Sequence, residues 1–283
     1  MEKQILVPTN FSKHAWNALV FGLKLYKSIS CNFILLNVYD DGRGISDRIP
    51  GIKPEEDIDA KKTSKEGLDR IMQGLSFRKE NQNHEFETLS LEGDLEEVVQ
   101  EIVNTRSIDL ILLGTEGANV NIHSSYKSKL SKLADVLQNC AMLFIPEDFE
   151  LTDQSVNEIV FPSTLRFPFQ EKELDPLKDL ASNSASPIRV QYIDSDGKGL
   201  SEEQERLKEN LEEHFSAIKN TFHRLTKTTA STGIHLFIES RQSTMLALYK
   251  RKQGFFSKLF LQSKGDGIEF DPSVPVLLLK ELD

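Results

Sequence analysis

"LILLGTEGANVNIHSSYKSKL", residues 110–130, decides the fold. It opens on a continuous apolar run, the pattern of a strand buried on both faces of a parallel sheet. The run breaks at Gly114, meets Gly117, crosses a polar loop and enters a helical pattern. Strand, glycine turn and helix start together make an anion cradle. Glycine lets backbone N–H groups approach the anion with no Cβ in the way, and the helix N-terminus carries partial positive charge. Lys127 stands where a third small residue is wanted. Its Cβ costs on the order of 1 kcal/mol if the backbone there needs a positive φ, whereas its ammonium attracts phosphate.

Working outward, "QILVP" (4–8), "NFILLNVY" (32–39), "FETLSL" (86–91), "DLILLG" (109–114) and "AMLFIP" (141–146) read as further short strands. Helical stripes fall between them. Ala15, Leu19 and Leu23 share a face, with Trp16 and Val20 beside them, and Leu68, Ile71, Met72 and Leu75 form a second stripe. Leu95, Val98, Val99, Ile102 and Val103 follow the helical period behind Asp94, a good N-cap. Leu130, Leu133, Val136 and Leu137 make the fourth. Such alternation predicts a mostly parallel sheet with helices on both faces.

The pattern then repeats. "ILVPTN" (5–10) matches "IVFPST" (159–164), and "LNVYD" (36–40) matches "VQYID" (190–194), both at an offset of 154. "AMLFIP" matches "VPVLLL" (274–279) at an offset of 133, so the second copy is shorter, with the loop 41–64 reduced to 195–204. Leu207, Leu211, Phe215 and Ile218 mark one of its helices, and "TMLALY" (244–249) its fourth strand. The reading is two tandem Rossmann-like domains, 1–150 and 151–283, each with a five-stranded sheet. The second has no Gly-x-x-Gly. Its "KRKQG" (Lys250, Arg251, Lys252, Gly254) reads as a solvated loop, Ser163 is set opposite Asn10, and Phe255, Phe256, Leu259 and Phe260 are expected to pack on their own sheet.

Composition narrows the function. A net charge of −10 over 283 residues argues against a nucleic-acid binder. No stretch approaches the roughly 18 apolar residues of a spanning helix, and "MEKQILVPTN" has no signal-peptide pattern. A cytoplasmic chain with no membrane contact is expected, with Cys31 and Cys140 as reduced core thiols. No metal-ligand spacing and no nucleophile elbow is present, so no catalytic or metal-binding residue is nominated.

With "ILVPTNFS", "LLNVYD" and "LILLGTEGA" in place, the chain resembles the universal stress protein family in its tandem two-domain form. The resemblance implies an adenine-nucleotide site at the carboxyl ends of the strands. Its motif is Gly-x-x-Gly, nine residues, then Gly-Ser/Thr, with an Asp after strand one. Gly114, Gly117 and Ser128 match; Lys127 replaces the last glycine, and Asn10 replaces the Asp. The implied site is Pro8, Thr9, Asn10, Val38, Gly114, Gly117, Lys127 and Ser128, with ATP as its ligand and Mg only alongside ATP. The resemblance implies a stress-response protein that binds rather than turns over. Two alternatives stay open: an interaction module with no nucleotide, and a slow ATPase or nucleotide-dependent switch. It also implies an intramolecular pseudo-dimer through the last strands, 141–146 beside 274–279. A homodimer or another protein partner is left open.

Overall fold

The computed structural model describes residues 2–40, 59–78, 83–115, 125–149, 156–194, 197–251 and 273–282, with the side chains of 125–129 and 131 outside that description. The first half runs β1 (Lys3–Pro8), α1 (Lys13–Leu25), β2 (Cys31–Tyr39), α2 (Ala60–Ser76), β3 (His84–Glu92), α3 (Leu95–Thr105), β4 (Leu110–Thr115), α4 (Ser125–Val136) and β5 (Met142–Pro146). The second runs β6 (Ile159–Ser163), α5 (Glu171–Asn183), β7 (Ile188–Asp194), α6 (Glu202–His214), β8 (Asn220–Thr226), α7 (Ala230–Arg241), β9 (Met245–Lys250) and β10 (Val276–Lys280).

Local chemistry starts each helix where the sequence breaks. The Ser12 hydroxyl accepts from the Ala15 N–H and starts α1. Asp59 accepts from the Lys62 N–H at α2, and Asp94 from the Glu96 N–H at α3. On α4, Val136 stays 38% exposed while Ala134 is buried. Leu130, Leu133, Ala134 and Leu137 complete the i, i+3, i+4, i+7 stripe, so the expected place of Val136 is taken by alanine.

All ten strands form one sheet in the order β3-β2-β1-β4-β5-β10-β9-β6-β7-β8. The order reads alike from both ends. The pairings are parallel except at the centre, where β10 meets β5 antiparallel. There Leu277 faces Leu143, flanked by Val276 with Phe144 and Leu278 with Met142.

Hydrogen-bond register fixes which residues correspond between halves. Ile5 faces Phe33 and Leu110, while Ile159 faces Ile188 and Met245. Leu36 therefore corresponds to Gln191, one residue beyond the sequence match. By the same ladder Met142 corresponds to Val276, because Ile111 pairs with Met142 and Leu246 with Val276. Apolar runs slide freely against one another in sequence, whereas a one-residue slip in a sheet turns every side chain to the other face. With the register applied, Leu143 and Leu277 are equivalent residues facing each other, so a local two-fold axis passes between them, as at an isologous interface.

The sheet is covered on both faces. One layer packs α1, α2, α5 and α6 on Ile5, Val7, Phe33, Leu112, Ile159 and Phe161. The other packs α3, α4 and α7 on Leu6, Ile34, Ile111, Val160 and Leu246. Cys31 lies in the first layer and Cys140 in the second, both as buried free thiols. Burial pushes each thiol up to about 12. The shortening of the second half falls where expected: residues 40–59 join β2 to α2, and 195–201 join β7 to α6.

At the amino edge of the second half lies a buried charge. Glu158, 5% exposed, accepts from Arg189 Nε at 2.8 Å, from Arg241 Nε and Nη2 at 2.8 and 2.9 Å, and from the Ser243 hydroxyl at 2.6 Å.

Candidate functional site

The candidate site lies at the carboxyl edge of the first half. There β1 and β4 are neighbours, and their connections leave toward opposite layers, β1 toward α1 and β4 toward α4. This is the switch point at which open α/β sheets form a crevice.

The chain leaving β1 is a fixed turn. Pro8 pairs with Leu36, and the Thr9 N–H extends the ladder to the Leu36 carbonyl at 2.8 Å. Asn37 Nδ2 donates to the Thr9 carbonyl at 2.7 Å, and the Thr9 hydroxyl accepts from the Phe11 N–H at 3.1 Å. Phe11 takes a left-handed φ of 64°. Its ring lies so close to α2 that a Cβ on Gly67 would come within 2.4 Å of it.

Asn10 projects from this turn and is exposed. Its Oδ1 accepts from the Ser12 N–H at 3.2 Å and from the Ser12 hydroxyl at 2.5 Å, closing an Asx turn. What Asn10 offers a ligand is therefore its amide NH2, a donor, where the family pattern has an acceptor. Val38, half-buried near the end of β2, packs on the α3–α4 layer.

Gly114 closes the crevice from the β4 side. A Cβ there would lie 2.1 Å from the His14 carbonyl oxygen and 2.8 Å from the Ala15 nitrogen. The first turn of α1 thus rests directly on the end of β4. This glycine is required by helix–strand packing, whatever the crevice holds.

Pro8, Thr9, Asn10, Val38 and Gly114 thus come to one edge of the sheet. Gly117 lies outside the described residues. Lys127 and Ser128 fall in the first turn of α4, the expected helix start, with their side chains outside the description.

The second half corrects the sequence reading. Ser163 accepts from the Leu165 N–H at 3.2 Å, and Leu165 has φ 50°, so Ser163 repeats Thr9 and Thr164 stands opposite Asn10. By register Gly114 corresponds to Tyr249. A tyrosine fits because the connection is longer: residues 164–170 precede α5, where 9–12 precede α1. The extra chain brings in aromatic rings. Phe169 packs edge-on against Tyr249, centroids 4.9 Å apart, and lies 5.6 Å from Phe161. Arg251 sits 4.6 Å over Phe167 and 5.2 Å over Tyr249, and donates to the Pro168 carbonyl at 2.8 Å. These rings take the space beside Tyr249 that the first turn of α1 takes beside Gly114.

Lys250 and Arg251 are thus bound within the fold, not part of a solvated loop. Lys252, Gly254, Phe255, Phe256, Leu259 and Phe260 lie outside the described residues. The signal for this ring cluster was the "FPF" of 167–169, readable only once Tyr249 is aligned with Gly114. Among the described residues no cluster of three His, Cys, Asp or Glu could hold a metal, and no helix is long and apolar enough to cross a membrane.

The universal stress protein family model matches residues 1–141. A universal stress protein from Archaeoglobus fulgidus DSM 4304 superposes with a TM-score of 0.62 at 17% identity, covering 99% of this chain and 97% of that one. A putative universal stress protein from Pseudomonas aeruginosa UCBPP-PA14 gives 0.58 at 14%, covering 99% and 93%. The cytoplasmic domain of a prokaryotic cation chloride cotransporter gives 0.51 at 10%, covering 99% and 96%. At these identities the likeness is one of fold. No curated protein matches the chain.

Proposed function

The chain belongs, through residues 1–141, to the universal stress protein family, and from that premise we propose that it is a stress-response protein that binds one adenine nucleotide, in its first half. We read 1–150 and 151–283 as two units of one fold joined through β5 and β10, the second retained as a built-in partner. The observation that carries the nucleotide reading is the crevice at the β1–β4 switch point, edged by Pro8, Thr9, Asn10, Val38 and Gly114. Asn10 would donate its amide to an acceptor on the adenine or ribose, while Gly117, Lys127 and Ser128 would meet the phosphates, with Mg entering only with ATP. The second half has no Gly-x-x-Gly and carries Tyr249 at the position of Gly114, which supports a stoichiometry of one per chain.

Calorimetric titration with Mg-ATP, beside a Lys127→Gly variant, tests this. The expected result is binding at micromolar affinity, one nucleotide per chain, weakened in the variant because an ammonium at a helix N-terminus is lost from the phosphates. A silent wild type with a binding variant would mean that the cradle is intact and the Lys127 side chain blocks it. Silence in both would overturn the nucleotide reading.

The alternative, an interaction module without nucleotide, has its own support. Gly114 is demanded by packing on His14, and the Asn10 oxygen is already satisfied by Ser12. Both features persist without a ligand, which is why titration and not geometry decides.

A further inference from the structure

The C-terminus of α4 is held by the other half of the molecule. Lys250, at the end of β9, donates from Nζ to the Ala134 carbonyl at 3.0 Å and ion-pairs with Asp135. Lys280, at the end of β10, donates from Nζ to the same carbonyl. Both are poorly accessible: Lys280 is 5% exposed, and the Lys250 side chain 14%. The last carbonyls of a helix lack intrahelical partners and carry partial negative charge, so two amines here fix the helix end in place.

This arrangement is one-sided. The register sets Lys250 opposite Thr115 and Lys280 opposite Pro146. Neither first-half residue is a cation, so these two positions offer no such pair in return. The arrangement is also costly. Burial first, then the charge of Lys250, push the Lys280 amine down to about 7, against the opposite pull of Asp135 and Cys140. Two amines on one carbonyl are a poor choice for mere filling, because an apolar side chain of similar length would pack there without desolvating a charge.

The helix they hold is the one whose first turn carries Lys127 and Ser128. It has 12 residues, so at 1.5 Å per residue it is a rod about 18 Å long. A shift at its C-terminus is a shift at its N-terminus. We infer that Lys250 and Lys280 are positioning residues through which the second half sets the place of α4, and with it the phosphate end of the first half's site. The inference rests on the nucleotide reading of that site, and it gives the second half a role although it carries no Gly-x-x-Gly.

The test uses the full chain with Lys250→Met, Lys280→Met, both together, and Lys250→Arg. Mg-ATP affinity is measured by calorimetry, and amide hydrogen exchange is followed across α4, with β8 as a control far from the seam. The expected result for the double variant is a Mg-ATP affinity about tenfold lower with faster exchange in residues 125–130. β8 exchange stays unchanged, and Lys250→Arg keeps both readouts near wild type. Unchanged affinity in a folded double variant overturns the inference, as does a loss of affinity without faster exchange in α4. An affinity in Lys250→Arg as low as in Lys250→Met also overturns it. If the wild type takes no nucleotide, the nucleotide reading has failed on its own. The positioning role then stands if exchange at 125–130 quickens in the double variant and falls if it does not.

Discussion

Gly114→Ala is expected to destabilise the first half by about 3 kcal/mol, the upper part of the range for overpacked sites. The added methyl would meet the carbonyl oxygen and carbon of His14 at 2.1 and 2.4 Å. Neither is the tip of a flexible side chain; both are backbone atoms of the first turn of α1. That turn is in turn pinned, because Ser12 caps it and Asn17 Nδ2 donates to the Pro146, Glu147 and Phe149 carbonyls at 3.2, 3.2 and 2.8 Å. The helix cannot retreat without breaking its own fastenings. Urea denaturation of the variant beside wild type, followed by far-UV circular dichroism, measures the loss. A midpoint equal to wild type would mean that α1 does not rest on β4, and the glycine would then be free for a ligand role alone.

The same substitution explains why the two halves diverged as they did. In the second half the position of Gly114 holds Tyr249, and α5 starts after a longer connection. Either a glycine with a close helix or a tyrosine with a displaced one fills the space. The second solution sets Tyr249 against Phe169 and Arg251 in place of a helix backbone.

The first half's strands were legible because each apolar run ends at a polar or glycine residue and lies between amphipathic helices. Their ends shift by about one residue, as helix and strand termini commonly do. In the second half the sequence reading found β6, β7, β9, β10 and α6, the last with a stripe carried past its end at His214 to Ile218, but not α5, β8 or α7. Pro176 lies inside α5 and reads as a breaker, although Leu174, Leu177, Leu180 and Ala181 are buried along one face. α7 carries Gly233, whose missing Cβ makes room for Thr228 and Leu225. β8 is an edge strand with no fully buried residue, so it lacks the apolar run that marks its neighbours. That Pro8, Thr9, Asn10, Val38 and Gly114 lie together at the carboxyl edge was legible because each stands at or near the end of a strand marked by an apolar run, while their nomination as a site came from the resemblance. The packing reason for Gly114, the Asx turn of Asn10 and the ring cluster around Tyr249 were not. Each depends on a partner distant in sequence or on a register that apolar runs leave free.

Glu158→Ala is expected to cost about 3 kcal/mol, the low end of the range for removing one partner from a buried ion pair, because the acid is buried but Arg241 is exposed. The carboxylate joins three elements: Arg189 on β7, Arg241 at the end of α7, and Ser243 just before β9. Its loss removes the acceptor of half-buried Arg189 and of the buried Ser243 hydroxyl, while exposed Arg241 turns to water and Arg189 keeps the Thr221 hydroxyl at 2.9 Å. Glu158→Gln keeps the volume and one acceptor oxygen, so its cost is smaller and separates charge from packing. Burial alone would raise the carboxyl above its usual 4.5, yet the hydrogen bonds from Arg241, Ser243 and Arg189 outweigh it and hold the group at about 2. A carboxyl whose folded pKa lies below its unfolded one stabilises the fold above the unfolded value, and that contribution fades as pH falls toward the folded one. The stability gap between wild type and Glu158→Gln should therefore be full above about pH 5 and shrink as the pH drops toward 2. Urea titrations of both proteins across that range decide the point. A gap that keeps its size down to the lowest pH at which both still fold would show that the carboxylate charge does not hold this edge together, leaving shape and neutral hydrogen bonding to explain why half-buried Arg189 and exposed Arg241 converge on one acid.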